Sequence, residues 1–148
     1  MSNQSLGPEQ RALVDALTAE YAAVFAYGVV AAFSNPARTG QVAADTAAHR
    51  ARRDATIDTL TAAGVDVPQP EPGYALPFPV TDPISAARLA AQVETDTATA
   101  WRSVIERAQS DAVRDTGIVA LTESAVRAAN WHVVLGDQPA TTAFPGQP

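Results

Sequence analysis

The chain has 148 residues, a net charge of -6 and no cysteine. That length suits one domain with a sizeable core. The missing thiol excludes disulfides, thiolate zinc sites, iron–sulfur clusters and cysteine nucleophiles, and the acidic balance argues against a nucleic-acid or anionic-membrane partner.

The composition narrows the class further. Hydrophobic residues make up 47% and charged residues 18%, which points to a globular chain. All ten basic residues are arginine, so a P-loop and Schiff-base chemistry are excluded. Only two histidines are present, so one chain cannot build a three-histidine metal site. Alanine is abundant, and alanine is the strongest helix former, so an all-α fold is expected. Met1–Gly7 show no basic segment followed by an apolar one, and no apolar run approaches the roughly 20 residues of a membrane span. A soluble cytoplasmic protein is the expectation.

Four long helices are predicted. The first begins at Pro8, with Glu9 near the positive end of its dipole, and runs to Phe33 before Ser34-Asn35-Pro36. The second covers 39–63, with Gly64 as its stop. The third takes Asp82 as N-cap and Pro83 as first residue, and covers 83–109. The fourth covers 111–135 and stops at Gly136; prolines keep the tail 136–148 from being helical.

The links differ in kind. Short links between helices one and two, and between three and four, make two antiparallel hairpins. Residues 64–82 lie between the hairpins and hold Pro68, Pro70, Pro72, Pro77 and Pro79. At roughly 3.1 Å per residue, a proline-rich link of this length reaches about 50 Å. A helix of about 25 residues is about 38 Å long. The link is therefore a crossover along the whole bundle, giving a four-helix bundle with one long connection. Tyr74, Leu76, Phe78 and Val80 alternate along it, which predicts one side packed on the helices. Phe144 in the tail is expected to dock similarly.

Each helix carries one ionisable residue on its apolar stripe. On the first, Glu20 falls among Leu13, Leu17, Val24, Tyr27 and Ala31. On the second, His49 lies with Val42, Thr46, Arg53, Ile57 and Leu60. On the third, Glu94 lies with Ala87, Ala91, Ala98, Trp101 and Ile105. On the fourth, Glu123 lies with Val119, Val126, Asn130 and Val133. Each is about 14 positions from its hairpin turn, or about 21 Å at the rise of an α-helix. All four are therefore expected to converge near mid-bundle. Three ionised carboxylates in a core need compensation by protons, arginine or a metal. Arg53 and Arg127 each lie one turn beyond a member of the cluster. Carboxylate and imidazole ligands suit Fe, Mn or Zn.

Three segments carry a resemblance: Ala19-Glu20-Tyr21-Ala22-Ala23-Val24-Phe25-Ala26-Tyr27-Gly28-Val29, His49-Arg50-Ala51-Arg52-Arg53-Asp54 and Tyr74-Ala75-Leu76-Pro77-Phe78-Pro79-Val80, with the tail Phe144-Pro145-Gly146. Through them the chain resembles the ferritin-like superfamily, and within it an actinobacterial ferritin-like domain family of unassigned function. The resemblance implies a ferritin-like four-helix bundle. Di-iron members of the superfamily use single glutamates on helices one and three and Glu-x-x-His on helices two and four. Glu20 and Glu94 match the single positions. The second helix reads Thr46-Ala47-Ala48-His49, without the carboxylate, and the fourth reads Glu123-Ser124-Ala125-Val126, without the histidine. A shifted register, Ala120-Leu121-Thr122-Glu123, puts Glu123 at the histidine position instead. In either register ligands are missing. Two divalent ions need bridging anions, so a normal di-iron site is not expected.

His132 should face outward near a helix C-terminus. Tyr27 and Trp101 read as core residues, and Trp131 as a core or interface residue. Arg50, Arg52 and Arg53 read as a surface cluster paired with Asp45 or Asp54. No Ser-His-Asp order, nucleophile elbow or phosphate loop is present. The leading expectation is a non-enzymatic binding or assembly module, acting as a homodimer, with no catalytic residue and no cofactor. The alternative is a metalloprotein holding one Fe, Mn or Zn ion at Glu20, His49, Glu94 and Glu123, with oxidase activity. A third reading is a small-molecule binder using the core beneath the crossover.

Overall fold

A computed structural model describes residues 5–148. Four long α-helices and no strand are found among the described residues: α1 Pro8–Phe33, α2 Thr39–Ala62, α3 Pro83–Arg107 and α4 Asp111–Leu135. The reading of Met1–Gly7 falls partly on residues 1–4, which lie outside the described residues.

The helix ends follow local chemistry. Asn35 accepts from the Ala37 amide and sets the short turn that opens α2. Gly64 stands beyond α2 at φ 71, a backbone state that costs glycine little. Asp82 and Ser85 form a reciprocal capping box on α3. Ser110 caps α4, and Gly136 ends it at φ 76. α3 stops at Arg107, two residues earlier than predicted. There the Glu9 carboxylate accepts the amides of Gln109 and Ser110, holding the turn against the start of α1.

Cross-helix pairs fix the directions. Tyr27 meets Glu94 while Glu20 meets Trp101, so α1 and α3 are antiparallel. Glu94 meets Arg127 and Thr97 meets Ser124, so α3 and α4 are antiparallel. Trp131 meets Asp45 and Glu123 meets Arg52, so α4 also opposes α2. With α1 and α2 joined by a tight turn, α2 and α3 run the same way. Only a connection as long as the helices can achieve that.

That connection is residues 63–82. Tyr74, Leu76, Phe78 and Val80 are half-buried, while Ala75, Pro77 and Pro79 between them are exposed. The alternation predicted for extended chain is therefore present. The Tyr74 ring lies 5.7 Å from that of Phe25, and the Tyr21 hydroxyl donates to the Pro68 carbonyl at 2.9 Å.

Two expectations fail. One stretch does suit a membrane span by length and composition: an 18-residue window of α1 has a mean hydropathy of 1.5. In the structure the buried side of α1, Glu20 included, packs within the helices. Phe144 does not dock: it is 66% exposed, and Gly146 is the tail residue that is buried.

The core is split in two. One apolar cluster centres on Tyr27, Val30, Leu89 and Trp131, the other on Leu13, Leu17, Leu60 and Trp101. A polar layer lies between them.

Candidate functional site

Glu20 on α1, His49 on α2 and Glu94 on α3 meet in that layer, as the sequence predicts. Their exposures are 1%, 0% and 0%. The His49 ring donates through Nδ1 to Glu20 Oε2 at 2.6 Å and through Nε2 to Glu94 Oε1 at 2.8 Å. Both ring nitrogens donate only in the imidazolium form.

Glu123 does not join them. It is 48% exposed and pairs with Arg52 at 3.0 Å on the surface. The reason lies in how α4 packs. Its buried residues are Gly117, Ala120, Ser124 and Trp131. A Cβ on Gly117 would lie 2.8 Å from Ile105 Cγ1, so the small residues are what let α3 approach. The valine stripe read as the buried face, Val119, Val126 and Val133, is instead exposed. Glu123 shares that outer face.

Arg127 takes the fourth place. Its Nε donates to Glu94 Oε2 at 3.1 Å and its Nη2 to Ser124 Oγ at 3.3 Å. Ser124 in turn bonds Thr97 at 3.0 Å. Arg127 is one of the two arginines that the sequence offers to compensate the cluster; the other, Arg53, pairs with Asp54 at 2.8 Å.

Three aromatic residues that the sequence reads as packing act here as hydrogen-bond donors. Trp101 Nε1 donates to Glu20 Oε1 at 2.8 Å. The Tyr27 hydroxyl donates to Glu94 Oε1 at 2.6 Å. Trp131 Nε1 donates to Asp45 Oδ2 at 2.9 Å and lies 3.1 Å from the Tyr27 hydroxyl. Asp45, read as a surface partner of arginine, is buried and belongs to this network. A signal existed: Tyr27 and Trp101 each lie seven residues beyond a glutamate on the same stripe. Antiparallel packing then sets each beside the other helix's glutamate.

The electrostatics follow from burial set against pairing. Burial alone would push the His49 pKa down, but the hydrogen bonds and charges of Glu20 and Glu94 outweigh it and raise the pKa to about 9. Burial pushes Glu94 up, yet His49, Arg127 and Tyr27 hold its carboxyl below the usual value. Burial raises Asp45, partly offset by the Trp131 bond. Burial and the neighbouring Glu94 and Asp45 raise Tyr27, which stays a neutral donor.

Within the quartet Glu20, His49, Glu94 and Arg127, two carboxyl groups face two cations, while Asp45 lies beyond it, bonded to Tyr27 and Trp131. Every carboxylate oxygen of Glu20 and Glu94 has a donor. A divalent cation at these carboxylates would sit beside the Arg127 guanidinium, which already holds Glu94 Oε2. No group of three or more His, Asp or Glu side chains is arranged to hold a metal among the described residues.

His132 faces outward, as expected, and pairs with Asp137 at 2.7 Å.

Residues 12–148 match the family described as Domain of unknown function (DUF4439). The structure is similar to the crystal structure of a conserved hypothetical protein, rv2844, from Mycobacterium tuberculosis. The two share 46% sequence identity with a TM-score of 0.86, over 93% of this chain and 97% of that one. No curated protein matches the chain.

Proposed function

The chain belongs to the family of Domain of unknown function (DUF4439), and we propose that it is a non-enzymatic binding or assembly module built on a ferritin-like bundle. The ferritin-like reading is supported by the single long crossover and by Glu20 and Glu94 at mid-helix. The site is a degenerate form of a di-iron centre, with the metal charge replaced by imidazolium and guanidinium.

One observation carries the non-enzymatic reading: the quartet Glu20, His49, Glu94 and Arg127 is neutral, and its carboxylate oxygens and ring nitrogens are all engaged. A substrate would find no free nucleophile or base within the quartet. The quartet therefore acts as a structural layer that sets helix register, a use for which buried polar groups are suited.

Assembly as a homodimer is supported by the outer face of α4. Val119 and Val133 lie fourteen residues apart on that face and are exposed, with Ile118 beside Val119. A row of exposed apolar side chains of this kind marks a protein–protein contact. The cytoplasm is the proposed setting, since a net charge of -6 suits no anionic membrane surface.

The test is metal content after anaerobic loading with ferrous iron, then Mn and Zn. Substoichiometric metal in the wild type, unchanged in Glu20→Ala and His49→Ala, is expected. One metal per chain, lost in both variants, would overturn the reading in favour of a single-metal centre. Sedimentation of the wild type against Val133→Asp reads the dimer, which the charge should dissociate.

A further inference from the structure

After α4 the chain turns back over the outer side of α3 and α4. Both ends of this strap are fixed. At its start, Asp137 holds His132 at 2.7 Å. At its end, Gly146 sits between the helices at φ 84, where a Cβ would lie 2.8 Å from both the Ala98 carbonyl oxygen and Arg102 Cβ. Between the two anchors, Ala140, Thr141 and Phe144 face a groove that they share with the helices.

This groove between strap and helices has a volume of about 620 Å³. Ala98 from α3, Leu121, Ala125 and Ala129 from α4, and Phe144 and Pro145 from the strap line it. Small-molecule sites have volumes of roughly 300–1,000 Å³ and mostly apolar walls. A helix, about 10–12 Å across, would require the strap to lift from both anchors. The two ionisable side chains that reach the groove, Glu94 and His132, are already paired with Arg127 and Asp137. The side chains of the groove therefore offer no unpaired cation to an anionic ligand. Asn130 and Gln147 offer neutral hydrogen-bonding groups at its edge. Phe144 overhangs it with 66% of its surface exposed, although its neighbour Gly146 is tightly seated. An aromatic ring held out over an apolar groove gains burial when the groove is filled.

We propose that this groove binds a small, uncharged, largely apolar molecule with one hydrogen-bonding end, clasped between α3, α4 and the C-terminal strap. This gives the binding reading above a place and a ligand class, and rests on it. Metal content tests that reading, whereas ligand displacement tests the groove, so the two can fail separately.

The probe is N-phenyl-1-naphthylamine, a neutral apolar fluorophore, titrated into the full chain. Saturable binding at one site per chain is expected. Ala129→Phe, which fills the groove from α4, should weaken it at least tenfold. Phe144→Ala, at an exposed position that the fold does not need, should weaken it severalfold. 1-Decanol should displace the probe and decanoate should not. Non-saturable fluorescence, wild-type affinity in folded Ala129→Phe or in Phe144→Ala, or displacement by decanoate equal to that by decanol would each overturn the proposal.

Discussion

His49 donates to Glu94 across 2.8 Å from α2 to α3, two helices joined only through the long crossover, and neither side chain is exposed. The bond closes the polar layer between the two apolar clusters. A one-turn slip of either helix would leave a buried charge unpaired. The layer therefore specifies register in a bundle whose alanine-rich faces would otherwise tolerate sliding.

Removing the central cation should be costly. His49→Ala leaves two buried carboxylates without their shared donor, and a broken buried pair costs about 3–5 kcal/mol. Glu123→Ala breaks only an exposed pair with Arg52, which is worth about 0–1 kcal/mol. Urea unfolding of both variants measures the contrast. Equal effects would mean that the buried His49 bonds contribute no more than the exposed pair.

Stability should follow pH through the same residues. The folded pKa of His49 is raised from 6.5 to about 9. Its contribution is therefore complete below about pH 6.5 and is lost as pH rises through about 9, a loss of about 3 kcal/mol. Glu94 is lowered from 4.5, so its contribution is complete above that value and is lost as pH falls through its folded pKa. Unfolding free energy should be highest between about pH 4.5 and 6.5 and decline on the alkaline side. His49→Ala should flatten the alkaline decline, which urea titrations at fixed pH values read directly.

The fold was legible because its signals are local and redundant. Pro8, Pro83, Ser110 and Gly136 mark helix ends whatever the packing, and five prolines mark the crossover. The convergence of Glu20, His49 and Glu94 was legible from equal distances to the turns. Glu123 was misplaced because α4 inverts the usual rule, burying its small residues against α3 and leaving its valines outside. Size and apolarity alone could not reveal that inversion. Asp45, Trp101 and Trp131 were missed for a different reason. Their roles are hydrogen bonds between residues 81–86 positions apart in sequence, and no pattern within one helix reports a partner on another.

Arg127 gives a test of charge balance within the layer. Arg127→Met keeps most of the aliphatic stem but leaves Glu94 Oε2 without its donor, at a cost of several kcal/mol. Glu94→Gln alone should also destabilise, since it leaves the two cations with a single carboxylate. The double variant removes one charge of each sign and should be more stable than the summed single effects predict. A double-mutant cycle by thermal or urea unfolding should give a coupling of about 1–3 kcal/mol. Strict additivity would show that Arg127 and Glu94 act independently.

Gly146 should be the residue that the strap cannot replace. Its φ of 84 is a conformation that an L side chain adopts only with strain, and a Cβ there would collide with the Ala98 carbonyl and with Arg102. The carbonyl belongs to the backbone of α3 and cannot move aside. Gly146→Ala should therefore release the end of the strap while leaving the four helices intact, because neither apolar cluster includes the tail. The expected result is faster amide hydrogen exchange and faster proteolysis over residues 137–148, with far-ultraviolet circular dichroism unchanged. Unchanged protection of the tail would show that the strap is held from elsewhere, by Pro145 and its neighbours, and not by the close seat of Gly146.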